Sequence, residues 1–318
     1  MLRNHRFITV LYFLLIPFSV FSQSAPSFRI VPLGVLGGID ESNLSAYMVA
    51  AAGTSNYVCM DAGTLHYGIQ RAVDNKVFSN PTEQVLRQYI KGYCISHAHL
   101  DHISGLIINS PDDTAKNIYG LASTLQTIKT HYFTWDSWAN FADDGEAPAL
   151  KKYHYQALTP DSIVHIKNTG MTVQAFPLSH SNLTSTAFLV NSNDAYILYL
   201  GDTGADDMEK SHNLHKLWLA IAPLVKSKQL KAIMIETSFP DEQPDKTLFG
   251  HLTPHWLMTE IDDLASLTGT DALKGFNVII THLKPPQTSI YKIKLQLSNE
   301  NKLHLNLIYP QQGEAIDL

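Results

Sequence analysis

Short apolar runs bounded by turn residues alternate along the chain with stretches of helical periodicity, the pattern of an α/β protein rather than an all-β sandwich. Residues 45–51 and 57–61 read as strands joined through Gly53-Thr54-Ser55-Asn56, a hairpin signal. Pro81-Thr82-Glu83 opens a helical stretch that the pattern ends near Lys91-Gly92. Tyr93-Cys94-Ile95-Ser96 then reads as a short buried strand running into a cluster of histidines. In the second half, residues 172–176, 187–190, 195–200, 232–235 and 278–280 read as strands, with a hairpin about Asn191-Ser192-Asn193-Asp194. Residues 214–225 and 254–267 carry helical patterns. Residues 132–154, with Trp135, Trp138, Phe141, Asp143 and Asp144, fit neither period and predict a long loop. The chain shows no repeat of fixed short period and no low-complexity linker.

Ahead of these elements, Arg3, His5 and Arg6 precede an apolar run over residues 7–21, and Val20-Phe21-Ser22 suits signal-peptidase cleavage before Gln23. The run is shorter than the ~20 residues of a membrane-spanning helix, and Pro17 interrupts it. Residues 1–22 are therefore expected to be a signal peptide, giving a periplasmic or secreted protein with no stable membrane insertion after cleavage. Residues 23–318 are expected to form a single domain. Cleavage removes two of the 23 basic residues, leaving 21 against 29 acidic ones, a charge of −8. An acidic chain with scattered lysines lacks the basic stripe that a nucleic-acid polymer requires. A small phosphate ester stays open as a substrate, because bound metal ions can supply positive charge locally. The two cysteines, Cys59 and Cys94, each lie in a predicted strand and form no disulfide framework; buried thiols are expected, although an oxidising compartment would permit a bridge.

Fifteen histidines direct attention to metal-ligand spacing. His97-Ala98-His99-Leu100-Asp101-His102 puts three imidazoles and a carboxylate at the end of a strand, donors suited to zinc and similar divalent ions. Alternate residues of an extended segment project to one side, so His97 and His99 can grip one ion. Asp101 and His102, where the chain turns into a helix, can reach a second. Packing offers no reason to desolvate such a cluster.

With those residues in view, the motif resembles the signature of the metallo-β-lactamase superfold, an αββα sandwich of two mixed sheets with helices outside, binding one or two metals. The resemblance implies further ligands. His180, after Phe176-Pro177-Leu178-Ser179, matches the third ligand of the first ion; Asp202, in Gly201-Asp202-Thr203-Gly204, matches a bridging carboxylate; His282, in Thr281-His282-Leu283-Lys284-Pro285, matches the last ligand of the second ion. Asp61, in Met60-Asp61-Ala62-Gly63, either supports a ligand histidine from behind or is a turn residue before Gly63.

The run from His97 to Pro111 is similar to the signature of the class II 3′,5′-cyclic-nucleotide phosphodiesterases, as are Ile235-Glu236-Thr237-Ser238-Phe239 and Gly250-His251-Leu252-Thr253-Pro254. Trp138-Ala139-Asn140-Phe141 is a looser likeness to that family's Trp-Pro-Asn segment, with Ala139 where proline is usual, and marks Trp138 and Asn140 as substrate-contact candidates. His251-x-Thr253 resembles a pair used near the scissile phosphate, while Thr253 before Pro254 is also the pattern of a helix N-cap.

The resemblance implies hydrolysis of cyclic AMP or cyclic GMP to nucleoside 5′-monophosphates by a hydroxide held between two divalent ions, zinc first, with manganese or iron as alternatives. Asp101 is then the proton acceptor and His251 the group at the departing 3′-oxygen. The rivals are a lactone or thioester hydrolase on the same ions and a metal- or nucleotide-binding module without turnover. The oligomeric state stays open, a homodimer included.

Overall fold

Two seven-stranded mixed sheets lie face to face in a computed structural model that describes residues 25–318; the expected signal segment 1–22 lies outside the described residues. The first sheet contains β1 (Phe28–Gly34), β2 (Ala46–Ala51), β3 (Tyr57–Met60), β4 (Ile90–Cys94), β5 (Lys116–Leu121) and β6 (Tyr153–Leu158). The second contains β7 (Ile163–His165), β8 (Thr172–His180), β9 (Leu183–Ser192), β10 (Ala195–Leu200), β11 (Leu230–Glu236), β12 (Asn277–Thr281) and β13 (Asn306–Ile308), and β14 (Ile316–Asp317) returns to pair with β1. Each sheet is antiparallel at one end, through β1-β2-β3 and β7-β8-β9-β10, and parallel at the other, through β3-β4-β5-β6 and β10-β11-β12-β13.

Period-two alternation distributes the strand side chains between layers. In β2, Tyr47 and Val49 enter the core between the sheets, while Ala46, Met48 and Ala50 face the helices His66–Asp74 and Leu100–Asn109. The outer face of the second sheet packs on helices Asn213–Lys226, Pro254–Thr268 and Gln287–Glu300 through Trp218, Leu257, Ile261 and Ile293. This is the expected αββα order. Strands covered on both faces read as continuous apolar runs, which is why β11 and β12 were visible in the sequence.

The differences have local causes. The helical stretch after Pro81 ends at Tyr89 in a wide turn, and Lys91-Gly92 belong to β4, where a side chain at Gly92 would come within 3.0 Å of the Tyr119 ring. β8 runs on from the predicted 172–176 to His180 in spite of Pro177. That proline is tolerated because β7 pairs only with residues 172–174 of β8, so at Pro177 one side of the strand is an edge. Cys59 aligns with Tyr93 and Met60 with Cys94 across the parallel β3–β4 pair. Cys59 therefore faces the helices and Cys94 the inter-sheet core, and both are free, buried thiols on opposite faces. Among the described residues no helix is long and apolar enough to cross a membrane.

Candidate metal centre

The strand ends converge at one rim of the sandwich. Asp61 follows β3, the His97–His102 motif follows β4, His180 ends β8, Asp202 follows β10, Glu236 ends β11 and His282 follows β12. All seven expected ligands come together there. His97, His99, His180 and Asp202 form one group, and Asp101, His102 and His282 a second, with ligand atoms in each within 4.8 Å of one another. Asp202 joins the groups: its Oδ1 is 3.3 Å from His102 Nε2, and its Oδ2 is 3.3 Å from His282 Nε2 and 3.8 Å from both His97 Nε2 and His180 Nε2. Of the seven, His99 is exposed and Asp101 half-buried, so the centre opens to solvent on their side.

The hydrogen bonds behind the imidazoles assign their tautomers. Ser96 Oγ gives its proton to Asp61 Oδ2 (2.7 Å) and so accepts from His97 Nδ1 (3.0 Å). Asp61 Oδ2 accepts from His102 Nδ1 (2.7 Å), Gly250 O from His180 Nδ1 (2.8 Å), and Ser238 Oγ from His282 Nδ1 (2.9 Å) while donating to Glu236 Oε2 (2.6 Å). Each of these four rings therefore presents an unprotonated Nε2 inward. His102 Nε2 and His282 Nε2 face each other at 3.2 Å, and His97 Nε2 is buried with no hydrogen-bond partner. Buried acceptors converging without a donor fit a cation, and three imidazoles with a carboxylate suit a divalent transition metal.

Electrostatics divide the rings: burial would lower the His102 imidazole, but Asp202 and Asp61 outweigh it and hold it well above the usual histidine range, so the carboxylates there call for positive charge, a proton or a metal ion. Burial, with His102 alongside, holds the His97 imidazole well below the usual histidine range, the neutral state a ligand needs. Burial would raise the Asp202 carboxyl, but His102 and His282 hold it well below the usual carboxylate range. Glu236 is likewise lowered: burial opposes ionisation and His251 overcomes it.

Asp61 stands behind His102 and also turns the chain, so both readings offered by the sequence have a counterpart in its geometry. Fully buried and at a left-handed φ of 53°, it also accepts from Ser96 N (2.7 Å) and from the Tyr199 hydroxyl (2.6 Å). His251 lies in the same cluster, its Nδ1 donating to Glu236 Oε1 at 2.7 Å and standing 3.8 Å from Asp202 Oδ2.

Three expected contacts sit elsewhere or do other work. Thr253 is the N-cap of helix Pro254–Thr268, its Oγ1 accepting from Trp256 N. Trp138 Nε1 donates to Ser110 Oγ at the C-terminal end of helix Leu100–Asn109, roughly 13 Å of helix away from Asp101 at its start. Asn140 is fully buried and holds its own loop: Nδ2 donates to the carbonyls of Asp144 and Glu146, and Oδ1 accepts from Ala142 N. The structure thus brings neither Trp138 nor Asn140 to the metal residues.

Sequence reasoning missed the loop after β1, where Gly38 N donates to Asp101 Oδ2 (2.9 Å) and a Cβ on Gly37 would meet His282 Cε1 at 2.2 Å. It gave no role to Ser96, nor to Glu236 and Ser238 within the family-like segment Ile235-Glu236-Thr237-Ser238-Phe239, where a carboxylate closes the apolar strand Leu230–Glu236.

Fold and centre define a metal-dependent hydrolase of the metallo-β-lactamase fold. The same architecture recurs in the crystal structure of unliganded yeast PDE1, with a TM-score of 0.82 at 23% identity, covering 92% of this chain and 100% of that one. The metallo-β-lactamase fold protein YhfI from Bacillus subtilis is a more distant match, with a TM-score of 0.59 at 18% identity over 91% and 99% of the two chains. Residues 28–313 match the family model of the class-II cAMP phosphodiesterases, and the chain belongs to that family. It is 44% identical to the 3′,5′-cyclic-nucleotide phosphodiesterase of Aliivibrio fischeri over 94% of this chain and 96% of the relative. It is also 38% identical to the probable 3′,5′-cyclic-nucleotide phosphodiesterase of Yersinia pestis over 95% and 92% of the two chains.

Proposed function

We infer that the chain hydrolyses 3′,5′-cyclic nucleotides to nucleoside 5′-monophosphates, with zinc as the metal best suited to its histidine-rich donor set. The observation that carries the reading is the inward convergence of four Nε2 atoms on Asp202 within a chain of this family. His97, His99, His180 and Asp202 would hold one ion, and Asp101, His102 and His282, with Asp202, the other. A bound pair of divalent ions supplies Lewis-acid activation of water and of the phosphoryl oxygens.

The chain's own residues set the direction of the chemistry. Asp101 is the most solvent-exposed carboxylate of the centre, and with Oδ2 engaged by Gly38 N its other oxygen is free to orient water and take a proton. His251, outside the proposed ligand set and held by Glu236, packs beside His180 and His282 with ring centroids 4.8 and 5.3 Å away and is assigned to the departing 3′-oxygen. Export by cleavage of residues 1–22 belongs to the same proposal, supported by the charged start and short apolar run.

The test is direct. Protein purified as residues 23–318 is assayed for bound metal and for turnover of cyclic AMP and cyclic GMP beside a lactone and a β-lactam. The expected result is turnover of cyclic nucleotides to 5′-monophosphates. Turnover confined to the lactone or β-lactam would refute the reading.

A further inference from the structure

Lys284 stands two residues beyond His282, and its Nζ donates to His251 Nε2 at 2.8 Å. The ammonium also lies 5.0 Å from the centroid of the Phe239 ring, which itself packs against His251 at 5.7 Å. Some cations of the chain are neutralised by carboxylates, among them Arg29 by Asp317, Lys116 by Asp113, Lys129 by Asp144 and Lys292 by Glu242. Lys284 has no carboxylate partner among the described residues. The imidazole it touches is an acceptor because His251 has given its other N–H to Glu236. Histidine and aromatic face together fix the side chain's position without cancelling its charge. Of three N–H donors on an ammonium, His251 takes one.

Charge balance gives that arrangement a purpose. Asp61, Asp101, Asp202 and Glu236 are the buried and half-buried carboxylates of the centre. Their formal −4 is offset by about +4 from two divalent ions. With a hydroxide between the ions the centre without Lys284 would stand at about −1 and repel a cyclic phosphodiester of charge −1, and Lys284 brings it to neutrality. We propose that Lys284 is the residue that recognises the phosphodiester charge, its free N–H groups donating to a phosphoryl oxygen while His251 and Phe239 hold the side chain in place. The inference rests on the cyclic-nucleotide reading and adds to it a contact residue that neither ligates metal nor belongs to the ligand motif.

The experiment compares metal-loaded wild type with Lys284→Met, with Lys284→Gln as the second variant should the first fail to fold. Adenosine 5′-monophosphate is titrated by calorimetry at several salt concentrations, alongside KM and kcat for cyclic AMP. Loss of a hydrogen bond to a charged group should weaken binding of the monophosphate roughly 10- to 100-fold, with metal content and Tm unchanged. The salt dependence should also flatten in the variant, a readout that a merely structural role would not move. Unchanged affinity, or a loss with the wild-type salt slope retained, would overturn the inference. Because the binding arm needs no turnover, absence of cyclic AMP hydrolysis by wild type would sink the substrate reading while leaving the Lys284 result readable.

Discussion

Asp61→Asn offers the sharpest probe of the centre, because it alters one atom behind the metal ligands and none among them. Asp61 Oδ2 accepts from His102 Nδ1, Ser96 Oγ and Tyr199 OH at 2.7, 2.7 and 2.6 Å. If the amide keeps its oxygen toward Ser96 N, the amide nitrogen replaces Oδ2 and meets three donors. The two hydroxyls can rotate and become acceptors, but the imidazole can accept only by moving its proton to Nε2, the atom it presents to the centre. Flipping the amide restores His102 at the expense of the buried Ser96 N–H. Either way one buried group loses its partner, at about 1–3 kcal/mol. Changes at carboxylates behind zinc-binding histidines cost about 10–100-fold in metal affinity, the same range expressed as binding. Competition against a chromophoric chelator measures it: the ion bound through Asp101, His102 and His282 should dissociate 10–100-fold more readily, and the other less. A variant that binds both ions with wild-type affinity would refute the assignment of tautomers by the Asp61 network.

Gly37→Ala should lower kcat/KM at least tenfold, since its methyl would meet the His282 ring at 2.2 Å and displace a ligand; wild-type kinetics would mean that the loop after β1 yields. Asp113→Ala should destabilise the fold by about 3–5 kcal/mol in urea titration with metal affinity intact, because it strands buried Lys116 and removes the acceptor of the Tyr93 and Tyr153 hydroxyls; a loss below 1 kcal/mol would contradict this. Neither Cys59 nor Cys94 should react with a thiol reagent until the protein unfolds, since burial pushes both thiols up, and rapid labelling of the native protein would disprove the packing. His215 titrates above the usual histidine range because Asp263 accepts from its Nδ1, so its small contribution to stability is complete below the ordinary pKa of about 6.5 and is lost as pH rises through the raised value. Asp263→Asn should return the His215 NMR titration to the ordinary range, and an unmoved midpoint would remove Asp263 as the cause.

How much of this was legible before the structure depended on whether the chemistry was local. The ligand motif was readable because four donors fall within six residues of a strand end, and His180, Asp202 and His282 because each follows an apolar strand run. β1, β5, β6 and helix Gln287–Glu300 went unread; they lack the turn signals and clean periods that marked β2, β3 and helix Pro254–Thr268. The supporting shell was hidden for a different reason. Ser96, Tyr199, Ser238 and Gly37 are ordinary residues in sequence and acquire their roles through contacts with residues far along the chain, as Tyr199 does with Asp61.

The same reasoning bears on Trp138 and Asn140, whose hydrogen bonds serve the loop that carries them. Their segment resembled a family motif, and a motif held to a common structure can serve the fold as readily as the substrate. Asn140 ties the loop to itself, and Trp138 ties the loop to Ser110. Trp138 sits at the opposite end of helix Leu100–Asn109 from Asp101 and His102, and that helix is the physical link between the loop and the centre. Gly105 on it would meet the Ala62 and Gly63 carbonyls within 3.0 Å if it carried a Cβ, so helix and Asp61 turn are locked together. The helix that carries Asp101 and His102 is thus packed at its start against the turn behind His102 and tied at its far end to the loop through Trp138 and Ser110.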